Sequence, residues 1–315
     1  MLIKSLLQSR LLVHDASSVA LVDDAITRAE NKGLQAPGID DPAARRALCM
    51  QIIESIRRVQ FVINLKHRKI SALRADPNTT IFDPLRAACV HMAAGNIDEA
   101  AWLVFLSTHF GHRPVTKWNL VKCFYRGDTE GPWTWKRSIS EKKILLDWLA
   151  QNKDVLRASG RFGNHRKYES LDAFGSKGTG AAISTYMDWV TTHGNHENLF
   201  SRANQEGAAI PEAAFAWLYD EMNSVARFAR MGKFDFLCML GKLDIAYIAP
   251  GSMFVAQATG PLKGSKVLFG SNKSASEIEG LVSLLNNEME VGMQVFEDAI
   301  CNWQKSTHCF VAFRG

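Results

Sequence analysis

Apolar residues recur along this chain at intervals of three and four, the spacing that lines up one face of a helix. Leu48, Ile52, Ile56, Val59 and Ile63 form such a stripe, behind Asp41 as an N-cap and Pro42 in the first turn. Asp83-Pro84 starts a second helix that runs to Met92. Asn96, with Glu99 three residues on, reads as a capping box for a third, which ends at Phe110 with Gly111 past its C-terminus. That helix is apolar on every side after its first turn, so it belongs in the middle of a core. Further helices are expected over Ser140–Ala150, over Ala181–Val190, from Pro211 to Val225, and as one long final helix from the capping box Ser274/Glu277 to Trp303. Strict alternation of apolar and polar residues is confined to Cys309–Phe313. The expected class is all-α.

Three stretches interrupt the helical pattern. Residues 112–140 are irregular and rich in aromatics, including Trp118, Phe124, Tyr125, Trp133 and Trp135, and suit a binding loop or side chains docked on the core. Gly175-Ser176-Lys177-Gly178-Thr179-Gly180 stands before a helix, where backbone amides at Lys177 and Gly178 can cradle a phosphate. Its glycines follow neither the Walker A order nor the dinucleotide-binding order. Ala229–Lys233 reads as a short basic hairpin entering an apolar helix that carries Asp235.

Composition narrows the class. Hydrophobic residues make up 47% of 315, ordinary for a folded globular chain, and the net charge of +5 accommodates a polyanionic partner without demanding one. The six cysteines form no C-x-x-C pair, which points to reduced thiols and a cytoplasmic setting. No apolar run approaches the roughly 20 residues of a membrane span, and the segment Met1–Val13 lacks the features of a signal peptide. No metal-ligand or nucleophile motif is present, so neither a metal nor another cofactor is expected.

The densest chemistry lies in Phe162-Gly163-Asn164-His165-Arg166-Lys167-Tyr168-Glu169. An amide, an imidazole, two cations, a phenol and a carboxylate within one short stretch suit a polar, anionic and partly aromatic ligand such as a modified nucleotide. The plain alternative is a solvated helix start. The acids available for chemistry are Asp98, Glu99, Glu169 and Asp235. Each also has a structural use: Asp98 and Glu99 at a helix N-terminus, Glu169 beside Arg166, Asp235 beside Arg230 or Lys233. A carboxylate in a cleft stabilises an oxocarbenium-like transition state or activates water, and both tasks suit cleavage of an N-glycosidic bond.

Four blocks, in order, resemble the alpha-glutamyl/putrescinyl thymine pyrophosphorylase family. They are Asp41-Pro42-x-x-Arg45 leading into Gln51–Arg58, Gly95–Ala100 with Trp102–Leu106 and His109–Gly111, Phe162–Leu171, and Phe234–Leu237 with Ala258–Gly264. The resemblance spans residues 38–270, flanked by an N-terminal helical extension (1–37) and a C-terminal helix and tail (271–315). It implies a two-lobed fold like the helix–hairpin–helix DNA glycosylases, with a cleft between the lobes. It also implies a monofunctional glycosylase of the anti-phage type, which removes a hypermodified pyrimidine such as glucosylated hydroxymethylcytosine from double-stranded DNA and leaves an abasic site. Transfer of a group to a pyrophosphorylated hydroxymethyl pyrimidine, or sensing of modified DNA without chemistry, are the alternatives. On this reading Asn164, His165, Tyr168, Trp102 and Trp133 contact the flipped base, and Arg166, Lys167, Arg57, Arg58, Lys177 and Gly178 hold phosphates. The chain departs from those glycosylases at one point. Downstream of the two hairpin candidates, Ala229–Lys233 and the glycine-rich stretch 175–180, the places where their catalytic Asp stands hold Pro250–Met253 and Glu197, so the acid must come from Asp235, Glu169, Asp98 or Glu99. No membrane and no protein partner is expected.

Overall fold

The computed structural model describes residues 14–312; the Met1–Val13 segment and Phe313, the last residue of the expected alternating stretch, lie outside them. The described residues form fifteen α-helices and no strand. The first eight are α1 (Ala16–Asn31), α2 (Pro42–Ile63), α3 (Pro84–Ala93), α4 (Ile97–Phe110), α5 (Asn119–Arg126), α6 (Trp135–Ser140), α7 (Lys142–Gln151) and α8 (Lys153–Ser159). Then follow α9 (Thr179–Thr192), α10 (His196–Glu206), α11 (Pro211–Glu221), α12 (Arg230–Lys242), α13 (Gly260–Phe269), α14 (Ala275–Met289) and α15 (Met293–Trp303). The described residues divide into two compact units, one built from residues 14–64 and 250–312, the other from 65–249. The expected borders at 37/38 and 270/271 both fall inside the first unit.

The first unit joins two segments far apart in the sequence. Asp15 caps α1 by accepting from the Ser18 amide, and Asp41 caps α2 by accepting from Ala43 and Ala44. The stripe on α2 is buried at Leu48, Ile52 and Ile56, with Val59 packed at its edge. It meets α15, whose fully buried Trp303 donates its indole N–H to the Ala44 carbonyl at 3.1 Å. Ion pairs tie the helices laterally, Arg45 to Asp23 and Glu30, Arg28 and Lys32 to Glu288, and Arg58 to Asp298; Arg58 also pairs with Glu54 one turn back on α2. The long final helix expected to Trp303 is two helices. Glu290 (φ 52°) and Gly292 (φ 88°) both adopt left-handed backbone, which ends α14 and lets α15 start afresh.

The second unit is organised around α4. Every residue from Glu99 to Phe110 is buried except Thr108. Each side chain of Leu or Phe size buried there stabilises the unit by roughly 1.5–3 kcal/mol. Phe105 stacks on Tyr186 of α9 at 3.8 Å between ring centroids and on Phe228 at 4.8 Å, and α12 packs along the same helix. Half of the expected capping box forms. Asn96 accepts from the Glu99 amide, but the Glu99 side chain turns away into the core. The aromatic stretch 112–140 contains α5 and α6. It buries Phe124, Trp133 and Trp135, so these rings dock on the core. The basic hairpin expected at Ala229–Lys233 is the N-cap and first turn of α12.

Candidate active site

The segment after Phe162 is held over the C-terminal end of α4. Gly163 donates its amide to the Phe110 carbonyl at 2.7 Å, and its backbone lies against Gly111. A Cβ on Gly163 would come within 2.9 Å of both the Gly111 Cα and the His112 oxygen, so this crossing needs two glycines. A short 3-10 turn, Asn164–Arg166, follows. The side chain of Asn164 lies outside the described residues.

Arg166 points inward. It is 8% exposed and donates from Nε to the His109 carbonyl (3.2 Å), one of the acceptors left over at the end of α4. It also donates to the Arg227 carbonyl (3.1 Å) and to His109 Nδ1 (3.3 Å). Because Arg has no acceptor, His109 Nδ1 must be unprotonated, and its Nε2–H therefore donates to Thr179 Oγ1 at 3.0 Å. The Thr179 hydroxyl passes its own proton to the Ser170 carbonyl at 2.7 Å. Burial, with the charges of Arg166 and Arg227 adding to it, holds the His109 pKa well below its usual value.

Glu169 closes this network. One carboxylate oxygen accepts from Arg227 Nε at 2.7 Å, and the other faces Arg166 at 3.7 Å, as the i,i+3 spacing suggests. Its side chain is 8% exposed, and what it faces is a cavity of about 520 Å³. Arg113, Arg157, Arg161 and Lys167 line that cavity, with Leu120, Phe162 and Leu171 as its apolar lining. It is amphipathic: a surface for a flat apolar ring, four cations for charged oxygens, and one carboxylate.

The other expected site residues separate from it. Asp235 meets His165 at 3.9 Å as a half-exposed pair. Asp98 and Glu99 sit at the opposite end of α4, about 16 Å from His109 at 1.5 Å rise per residue. Asp98 accepts from the His196 amide (2.9 Å) and from its Nδ1–H (2.6 Å), and His196 Nε2 lies 2.7 Å from the Tyr186 hydroxyl. Burial alone would raise the Asp98 pKa, but the two bonds from His196 outweigh it and the net shift is downward. Glu99 is 4% exposed, with both oxygens taken by the Tyr125 hydroxyl (2.6 Å) and the Trp135 amide (2.7 Å), and burial raises its pKa.

The expected base and phosphate contacts also redistribute. Trp102 and Trp133 are fully buried, and Trp102 donates to the Trp133 carbonyl at 2.8 Å, so neither offers a face to a base. Tyr168 is 82% exposed, beside Lys167 Nζ at 4.9 Å. Arg166 is spent on the inner network and Arg58 on its ion pairs; Arg57 is exposed on α2. Lys177 is exposed, but the amides of Gly178, Thr179 and Gly180 are occupied by the carbonyls of Gly175, Ser170 and Asp172, so Gly178 has no amide to offer a phosphate. Sequence reading passed over Arg113, Arg157 and Arg161; the one local signal was the i,i+4 spacing of Arg157 and Arg161. It also passed over His196, Tyr186, Thr179 and Arg227.

The buried imidazoles make stability depend on pH. Burial lowers the folded-state pKa of both His109 and His196 from 6.5; for His196 the bond to Asp98 opposes it without cancelling it. The unfolded chain binds the extra protons first, so stability is lost as pH falls below about 6.5, by up to about 1.4 kcal/mol per pH unit for each histidine. Unfolding midpoints between pH 7.5 and 5 are expected to fall, and His109→Gln to flatten the decline. A midpoint that stays level over that range would contradict the neutral, buried assignment.

Among the described residues no helix is long and apolar enough to cross a membrane. Comparison with curated proteins and with solved structures yields no match. A family model covers residues 43–315, and by that match the chain belongs to the alpha-glutamyl/putrescinyl thymine pyrophosphorylase family, clade 3.

Proposed function

We propose that this protein is an enzyme that hydrolyses the N-glycosidic bond of a hypermodified pyrimidine in double-stranded DNA and leaves an abasic site. Membership of the family ties the chain to the hypermodification of thymine, a chemistry of modified DNA. The observation that carries the finer reading is the position of Glu169. Of the four candidate carboxylates, it alone lines the cationic, partly apolar cavity.

A base in a duplex must leave the stack before its glycosidic bond is accessible. In this reading the extruded pyrimidine lies on Phe162, Leu120 and Leu171, while Arg113, Arg157, Arg161 and Lys167 hold phosphate oxygens. As the bond from C1′ to N1 breaks, its electron pair leaves with the base and positive charge develops at C1′. The Glu169 carboxylate, oriented by Arg227 and Arg166, stabilises that charge. Water then bonds to C1′, loses a proton to solvent, and the departing base takes one up. No lysine acts as a nucleophile, so the phosphodiester backbone stays intact until alkali is added.

The test is incubation with duplexes carrying cytosine, hydroxymethylcytosine or glucosyl-hydroxymethylcytosine, followed by alkali and a denaturing gel. Breaks confined to modified DNA are expected. A second reading, displacement of pyrophosphate by an amine from a pyrophosphorylated hydroxymethyl pyrimidine, is favoured by the concentration of four cations in one cavity, more charge than one backbone diester carries. Intact glycosidic bonds with a base of altered mass in digested DNA would replace the first reading by the second.

A further inference from the structure

The cationic surface continues past the cavity that holds Glu169. A second groove, of about 410 Å³, is lined by Lys122, Cys123 and Arg126 from α5 and by Val155, Ala158 and Ser159 from α8. Both hollows are bordered by this same helix pair. Leu120 and Gly160 line the first, and their chain neighbours Asn119 and Ser159 line the second. Between them the chain closes tightly: a Cβ on Gly160 would stand 3.3 Å from the Leu120 amide nitrogen.

The second groove has no carboxylate in its lining. Lys122 and Arg126 are one turn apart on the same side of α5. Among the described residues, neither they nor Arg161 belong to an ion pair. Other cations of this unit do have counter-ions: Arg137 has Asp128 and Glu141, Lys142 has Asp188, Arg202 has Glu206, and Arg157 at the first hollow has the exposed Asp154. Like charges left side by side repel one another, and an anionic partner relieves that repulsion.

We infer that the two hollows form one track for the phosphate backbone of DNA, crossing the α5–α8 ridge, with Lys122 and Arg126 gripping phosphates away from the reacting nucleotide. The inference rests on the reading that the Glu169 cavity faces DNA, but its test does not need catalysis. Cys123 is a partly exposed thiol inside the second groove, and Cys309 is an exposed one in the other unit.

The experiment uses the whole chain and unmodified duplex DNA. Affinity is measured from 50 to 300 mM salt for the native protein, for Lys122→Ala/Arg126→Ala and for Arg202→Ala. The double variant is expected to bind more weakly, with the slope of log affinity against log salt reduced by about two, and Arg202→Ala to keep the native slope. DNA is also expected to slow alkylation of Cys123 several-fold and to leave Cys309 unchanged. An unchanged slope, an unprotected Cys123, or equal protection by polyglutamate would each overturn the track. A protein that shows the expected slope and protection yet releases no base would keep the track and refute the glycosylase reading.

Discussion

Glu169→Gln is expected to slow release of the modified base by about 10²–10³-fold, the usual cost of removing one group aimed at developing charge. The amide keeps the size of the side chain and can still accept from Arg227 while removing the negative charge from the cavity. Single-turnover rates on modified duplex, well below the unfolding temperature, measure the effect. The comparison that makes the result decisive is Asp235→Asn. That residue is half exposed beside His165, outside the cavity lining, and its variant is expected to stay within an order of magnitude of the native rate. If Asp235→Asn were crippled and Glu169→Gln active, the acid would be Asp235 and the cavity would have another use.

Arg166→Ala is expected to destabilise the second unit by about 3–5 kcal/mol, the cost of removing one partner from a buried ion pair. The arginine is 8% exposed and serves two carbonyls, one imidazole nitrogen and one carboxylate. Without it His109 Nδ1 loses its donor, and Glu169 is left with Arg227 alone. Tryptophan fluorescence during urea unfolding suits the measurement, because every tryptophan but Trp303 lies in residues 65–249. A variant that unfolded at the native urea concentration but lost DNA affinity would restore Arg166 to a phosphate-binding role.

Signals carried by adjacent residues were readable before folding. Asp41-Pro42, Asn96 and Ser274/Glu277 each start a helix where expected, because a cap involves only the first turn. The apolar face of α2 and the all-round apolarity of α4 likewise announce their burial. Direction was not readable. Arg166 and Lys167 are neighbours of similar composition, yet one turns under α4 and the other outward, a choice made by where His109 and Arg227 lie. Glu99 looked like half of a capping box, and Tyr125 and Trp135, distant in sequence, claimed it. Glu169 was one of four equal acids until Arg113, Arg157 and Arg161 came together around it, and beyond the i,i+4 spacing of Arg157 and Arg161 no local pattern joins those positions. The break at Glu290–Gly292 had a local sign, Val291-Gly292, which the capping box upstream obscured.

The interleaving of the two units bears on the order in which a ribosome releases them. The second unit has all its residues once Ala249 has emerged, so its core can close while translation continues. The first cannot. The apolar faces of α1 and α2 emerge early, but the helices that cover them, α13 to α15, are made last. Through most of synthesis Leu48, Ile52 and Ile56 wait without Trp303 and Phe296, an exposed greasy surface tethered to a finished neighbour. The nascent chain therefore asks more of holding chaperones for α1 and α2 than for the unit that follows them.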